Sequence, residues 1–122
     1  GVKSTLVHYP ELLVDLKSRI RTNTVDQRVN EIKQAQVLVL DDIGAESNSE
    51  WVRDDVLGVI LQYRMQEQLS TFFTSNFSMA ELEEFLTTTR EGVDVAKSAR
   101  IMERIKYLSE EITVGGRDRR NG

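Results

Sequence analysis

Two neighbouring carboxylates close an apolar run near the middle of the chain. Val37-Leu38-Val39-Leu40 leads straight into Asp41-Asp42, followed by Ile43-Gly44. Carboxylate oxygens suit a magnesium ion, and an acid beside the metal can orient a water for attack on a phosphate. The chemistry open to this pair is metal-assisted hydrolysis of a nucleotide; the plainer alternative is two acids that open a turn. A second polar terminus lies downstream, where Ser70-Thr71-Phe72-Phe73 ends in Thr74-Ser75-Asn76. The Asn76 amide could hydrogen-bond an attacking water or a γ-phosphate oxygen, or it could simply start a turn or helix.

These residues act together only if the backbone brings them to one place. The run Val37 to Leu40 fits a strand buried on both faces, as in a parallel sheet covered by helices. Ser70 to Thr74 reads as a second strand. Between them, Glu50 to Gln68 carries Val52, Val56, Val59, Ile60 and Tyr63 at helical spacing. Strand, helix, strand is the parallel crossover unit. Both strands then end on the same rim, the side of an open α/β sheet where ligands bind. The acid pair takes a Walker-B-like place and Asn76 a sensor-1-like place beside it.

The remaining elements support an α/β domain. Thr5 to His8 reads as a short strand, with His8 given a structural role at its end. Pro10 suits the first turn of a helix that carries Leu12, Leu13, Leu16 and Ile20 on one side. Thr24-Val25-Asp26-Gln27 and Ser78-Met79-Ala80-Glu81 both match the capping box that starts a helix. Asn48 or Ser49 could cap the long helix. Thr87 to Val93 reads as a loop, Ala96 to Leu108 as a helix, and Glu111 to Val114 as a last strand. Trp51, Tyr63, Phe72 and Phe73 are core candidates.

Composition narrows the function classes. The chain has 122 residues, 16 Lys and Arg against 20 Asp and Glu, and a formal net charge of -4. One histidine and no cysteine argue against zinc chemistry, a disulfide framework and a His-centred triad. Mild acidity argues against binding nucleic acid by bulk positive charge, though a local basic strip remains open. No apolar run approaches the about 20 residues that span a bilayer. No secretory leader opens the chain. A cytoplasmic protein without membrane partners is expected.

A glycine-rich loop with Lys and Ser or Thr is what such an acid pair needs opposite it. Gly1-Val2-Lys3-Ser4 lacks that spacing and runs into a strand rather than a helix, so it is not this loop. The remaining segments resemble the AAA+ ATPase domain of bacterial replicative helicase loaders of the DnaI/DnaC type. The resemblance rests on Val37 to Glu46, Trp51 to Leu57, Ile60 to Met65, Thr71 to Phe77 and Arg100 to Ile105. It implies a three-layer, parallel-sheet P-loop NTPase core that is partial, residues 1–122 running from the strand after the phosphate loop to the C-terminus, with the P-loop strand missing. A longer natural chain is expected. Without that strand, the Thr71 to Thr74 strand would keep an open edge.

The same resemblance implies roles at matching positions. Asp41 is similar to the metal-side acid, and Asp42 stands where relatives polarise the attacking water, often with a longer Glu. Asn76 resembles sensor 1. The helix bearing Arg100 and Arg104 resembles the one that lends an arginine finger to a neighbouring subunit, Arg104 first and Arg100 second. Such a finger is worth on the order of 10³ to 10⁵ in rate in GTPases. Taken alone, Arg100 could instead pair with Glu103, and Arg104 with Glu103 or Ser109, within the helix. Arg119 and Arg120 fall where the family carries a basic residue for the nucleotide, and could equally be a solvated tail. Lys17, Arg19 and Arg21 could form a strip for single-stranded DNA or a solvated helix face.

The resemblance implies ATP and Mg2+ as cofactors, self-association when ATP is bound, and a hexameric DNA helicase and single-stranded DNA as partners. The expected activity is ATP-dependent loading of the helicase, with little or none in these residues alone. Two alternatives keep the fold: a transposition helper of the IstB type, and a scaffold that binds the helicase without catalysis. A phosphoacceptor receiver domain would need a further Asp and a late Lys in order, and neither is found.

Overall fold

Three strands run side by side in the same direction, and their register fixes which side chains share a face. A computed structural model describes residues 3–44 and 48–113. Strand β2 (Val37–Asp41) lies between β1 (Ser4–His8) and β3 (Ser70–Phe73), all parallel. His8 is level with Asp41, and Leu6, Val39 and Phe72 form one row across the sheet. Between β1 and β2 come α1 (Tyr9–Arg19) and α2 (Val25–Lys33). A π-helical stretch, Trp51–Leu57, runs directly into α3 (Gly58–Gln66) and returns the chain to β3. Then follow α4 (Met79–Thr87), a two-residue hairpin of β4 (Thr88–Thr89) and β5 (Gly92–Val93), and α5 (Val95–Thr113).

The core sits on one side of this sheet. Leu38 and Leu40 of β2 are fully buried and pack with Leu16, Ile32, Leu57, Ile60 and Leu61 from the helices. Burying each such side chain contributes about 1.5–3 kcal/mol. The opposite face is far more open: Leu6 is 69% exposed and Phe72 41%. The continuous apolar run of β2 is therefore buried on one face and half-buried on the other, not on both. Phe72 is not a core residue, because it shares the open row with Leu6 and Val39. Trp51, Phe73 and Met65 pack against the core only in part. The described residues thus supply the sheet and its covered face, a partial form of the layered architecture.

Several local expectations hold. Pro10 is in the first turn of α1. Ser78 caps α4 reciprocally: its hydroxyl accepts from Glu81 N–H at 3.2 Å, and its own N–H donates to Glu81 Oε1 at 2.8 Å. Others do not. Thr24 precedes α2 but makes no side-chain cap; its hydroxyl is spent on Thr22 Oγ1 at 2.9 Å. Ile20 is 59% exposed at the C-cap of α1, outside the buried face of Tyr9, Leu12, Leu13 and Leu16. Val59 is exposed, since the buried face of the long helix is centred on Leu57, Ile60, Leu61 and Arg64. The segment 87–93 holds a short antiparallel hairpin rather than a loop alone. Helix α5 continues through Thr113, so residues 111–113 are helical and not a strand, while Val114 lies outside the described residues. A strand there would need a paired neighbour for its backbone groups, whereas the helix satisfies them internally.

Candidate functional site

The parallel register carries the ends of all three strands to one rim. Asp41 is the last residue of β2, His8 the last of β1, and Thr74 follows β3 directly. Backbone bonds extend the β2–β3 pairing past the strands: Thr74 N–H donates to Leu40 O at 3.0 Å, and Ile43 N–H to Thr74 O at 2.9 Å. Asp42 and Asn76 then face a shared cavity of about 150 Å³, bordered also by Ile43, Gly44 and Phe77. Asp42 and Asn76 are therefore brought to one cavity, while Asp41, the neighbour of Asp42, turns its carboxylate to Thr74 and His8 on the same rim.

Asp41 is held on both oxygens. Thr74 Oγ1 donates to Asp41 Oδ1 at 2.6 Å, and His8 Nδ1 lies 3.0 Å from Asp41 Oδ2. These partners favour the ionised carboxylate and hold it below the usual carboxylate range, the Thr74 hydroxyl more than the imidazole. The same hydrogen bond raises His8 above its ordinary 6.5. His8 thus has a partner that its position in sequence did not reveal; the clue was the strand register that sets it level with Asp41.

Asp42 has a φ of 65°, in the left-handed region that few non-glycine residues adopt. Its N–H donates to Thr74 Oγ1 at 2.8 Å. Gly44, with φ 104°, continues the turn, and a Cβ there would stand 2.8 Å from the Phe77 ring. Ser75 Oγ donates to Ile43 O. The turn after the acid pair is thus laced to the turn that carries Asn76.

This rim suits a hard divalent cation, which takes oxygen ligands. Among the described residues no group of three or more His, Cys, Asp or Glu could hold a metal alone.

Arg100 and Arg104 lie elsewhere. With Lys97, Asp54, Gly58 and Ile101 they border a cavity of about 170 Å³ between α5 and the long helix, which shares no residue with the acid rim cavity. Among the described residues neither forms an ion pair with Glu103. Lys97 Nζ is instead 3.3 Å from Asp54 Oδ2. Of the possible basic strip on α1, Arg19 is bound to Asp15 at 2.9 Å. Arg119 and Arg120 lie outside the described residues.

Two buried arginines were not visible in the sequence. Arg53 is fully buried, donates from Nε to Asp54 Oδ1 at 2.8 Å and from Nη2 to Oδ2 at 3.2 Å, and reaches Leu86 O at 3.1 Å. Arg64 is also fully buried and bonds no carboxylate. Its donors go to Thr71 Oγ1, Lys33 O, Ala35 O and Ser70 O. Asn48 does not cap the long helix; its amide reaches Phe85 O and Leu86 O, and Ser49 Oγ accepts from Val52 N–H instead.

No family model matches the chain. It is 46% identical over 119 residues to the replicative helicase loader DnaI of Bacillus subtilis (strain 168), an alignment covering 97% of this chain and 38% of that protein. A crystal structure of DnaI agrees at a TM-score of 0.77 with 53% identity, over 88% of this chain and 55% of the other. The chain is DnaI/DnaC-like. A crystal structure of the DnaC helicase loader shares the fold at a TM-score of 0.68 and 23% identity, over 88% of this chain and 59% of that one. The DnaI/DnaC-like chain thus spans 38% of the curated relative's length and a little over half of the solved ones. Its three-stranded parallel sheet is a partial AAA+ P-loop core. Among the described residues no helix is long and apolar enough to cross a membrane.

Proposed function

We propose that this chain forms the nucleotide-hydrolysing part of a bacterial replicative helicase loader, which acts in the cytoplasm in primosome assembly. The observation that supports this best is the shared rim, where Asp42 and Asn76 border one cavity and Asp41 closes the adjoining strand. ATP is the nucleotide and Mg2+ the metal. Asp41 would hold the metal side, where a bound ion would supply charge neutralisation on the phosphates. Asp42 polarises the water; being shorter than Glu, it favours slow turnover. Asn76 steadies the water or a phosphate oxygen. The phosphate loop comes from residues outside this chain.

Arg104 of one copy, with Arg100 as the second choice, completes the site of a neighbouring copy. Its cavity being separate from the acid rim supports action between copies rather than within one. Subunits with ATP bound associate, hold a hexameric helicase and pass it onto single-stranded DNA, which Lys17 of α1 and Arg21 in the turn after it contact.

In the full-length protein, Arg104→Ala should abolish hydrolysis and spare ATP binding; loss of binding would remove Arg104 from this role. Co-purification with a hexameric helicase is the expected partner result. Helicase binding with no nucleotide-dependent self-association would instead favour the scaffold, and stimulation of a transposase the IstB-type helper.

A further inference from the structure

We propose that Thr74 is the positioning residue of the acid pair: one hydroxyl sets the orientation of the Asp41 carboxylate and holds Asp42 in its left-handed turn. This rests on the hydrolytic reading above and names a residue that it does not use.

The backbone of Thr74 is fixed on both sides. Its N–H donates to Leu40 O and its C=O accepts from Ile43 N–H, so the side chain leaves β3 at a set point beside the end of β2. From there a hydroxyl has one proton and two lone pairs to spend. The proton goes to Asp41 Oδ1 at 2.6 Å, and a lone pair accepts the Asp42 N–H at 2.8 Å. Asp41 Oδ2 is engaged separately by His8, so the carboxylate is gripped at both oxygens. Asp42, at φ 65°, needs a partner for its N–H in a backbone conformation that side chains disfavour. Thr74 supplies that partner. Partners that orient a metal-binding carboxylate without touching the metal govern affinity strongly, and their loss costs about 10–100-fold in metal affinity or activity.

Thr74→Val keeps the β-branched shape and removes both bonds. In the full-length protein, the Mg2+ concentration that half-saturates binding of a non-hydrolysable ATP analogue should rise about 10–100-fold. Hydrogen exchange at the Asp42 amide should quicken in the same variant without nucleotide. Thr74→Ser, which keeps the hydroxyl, should restore both, and Thr74→Ala should repeat the Val result. An unchanged Mg2+ dependence in a folded Thr74→Val protein overturns the proposal, provided Asp41→Asn shifts it. If Asp41→Asn leaves it unchanged too, the hydrolytic reading of the rim falls, and this proposal with it.

Discussion

Arg64→Lys tests how the lower end of the sheet is held together. The substitution keeps a positive charge and most of the apolar stem, and it exchanges a planar fork for a point ammonium. Arg64 is fully buried, and its guanidinium makes four bonds: Nε to Thr71 Oγ1 at 2.7 Å, Nη1 to Lys33 O at 2.9 Å and Ala35 O at 2.6 Å, and Nη2 to Ser70 O at 2.8 Å. Burial lowers its pKa to about 10, which still leaves it charged at neutral pH. An ammonium has three donors, directed to the corners of a tetrahedron, while these acceptors surround a planar group. We expect two acceptors to be left without a donor. At about 1–1.5 kcal/mol each, at the low end of the cost of an orphaned buried group, the loss is about 2–3 kcal/mol. The ammonium is also harder to desolvate, which moves the expectation to the top of that interval. Equilibrium urea unfolding, followed by the fluorescence of the single tryptophan, Trp51, measures it. A loss under about 1 kcal/mol, with an unchanged denaturant slope, would refute the claim that fork geometry rather than charge matters at this position.

Two further outcomes follow from the rim. The His8 imidazole should titrate above 6.5 by NMR, and its midpoint should fall toward 6.5 in Asp41→Asn; an unmoved midpoint would mean that the Asp41 bond does not set it. Gly44→Ala should cost about 1–3 kcal/mol in thermal or urea unfolding, because φ 104° disfavours a side chain and the new Cβ would meet the Phe77 ring at 2.8 Å. A neutral result there would show that the turn relaxes freely.

What could be read from the sequence was what local pattern controls. The apolar run into Asp41-Asp42 and the helical spacing after Glu50 were enough to place two parallel strand ends on one rim, because the crossover unit has one dominant geometry. The Ser78 capping box involves residues three apart and was equally legible. The Thr24 box failed because a second hydroxyl, Thr22, competes for the capping side chain. Long-range partners left no local trace. His8 and Asp41 are 33 residues apart, and only strand register joins them. Arg53 and Arg64 look like solvated charges on a helix, yet each is buried because backbone carbonyls from other segments converge on it. Glu111 to Thr113 showed how a short β-like stretch yields to helix extension when, among the described residues, no strand lies beside it. Phe72 looked like core by residue type, and its face of the sheet proved to be the open one.

The partners of Arg64 are three peptide carbonyls and a hydroxyl, none of which titrates, so that end of the sheet is indifferent to acidity. The rim behaves otherwise. His8, raised above 6.5, contributes fully below that value and loses its contribution as pH climbs through its folded midpoint. Asp41, lowered beneath 3.8, contributes fully above that value and loses its contribution as pH drops through its folded midpoint. The His8–Asp41 contact at the mouth of the sheet is therefore strongest between the folded midpoints of Asp41 and His8, and both acid and alkali loosen it while the Arg64 end keeps its uncharged partners.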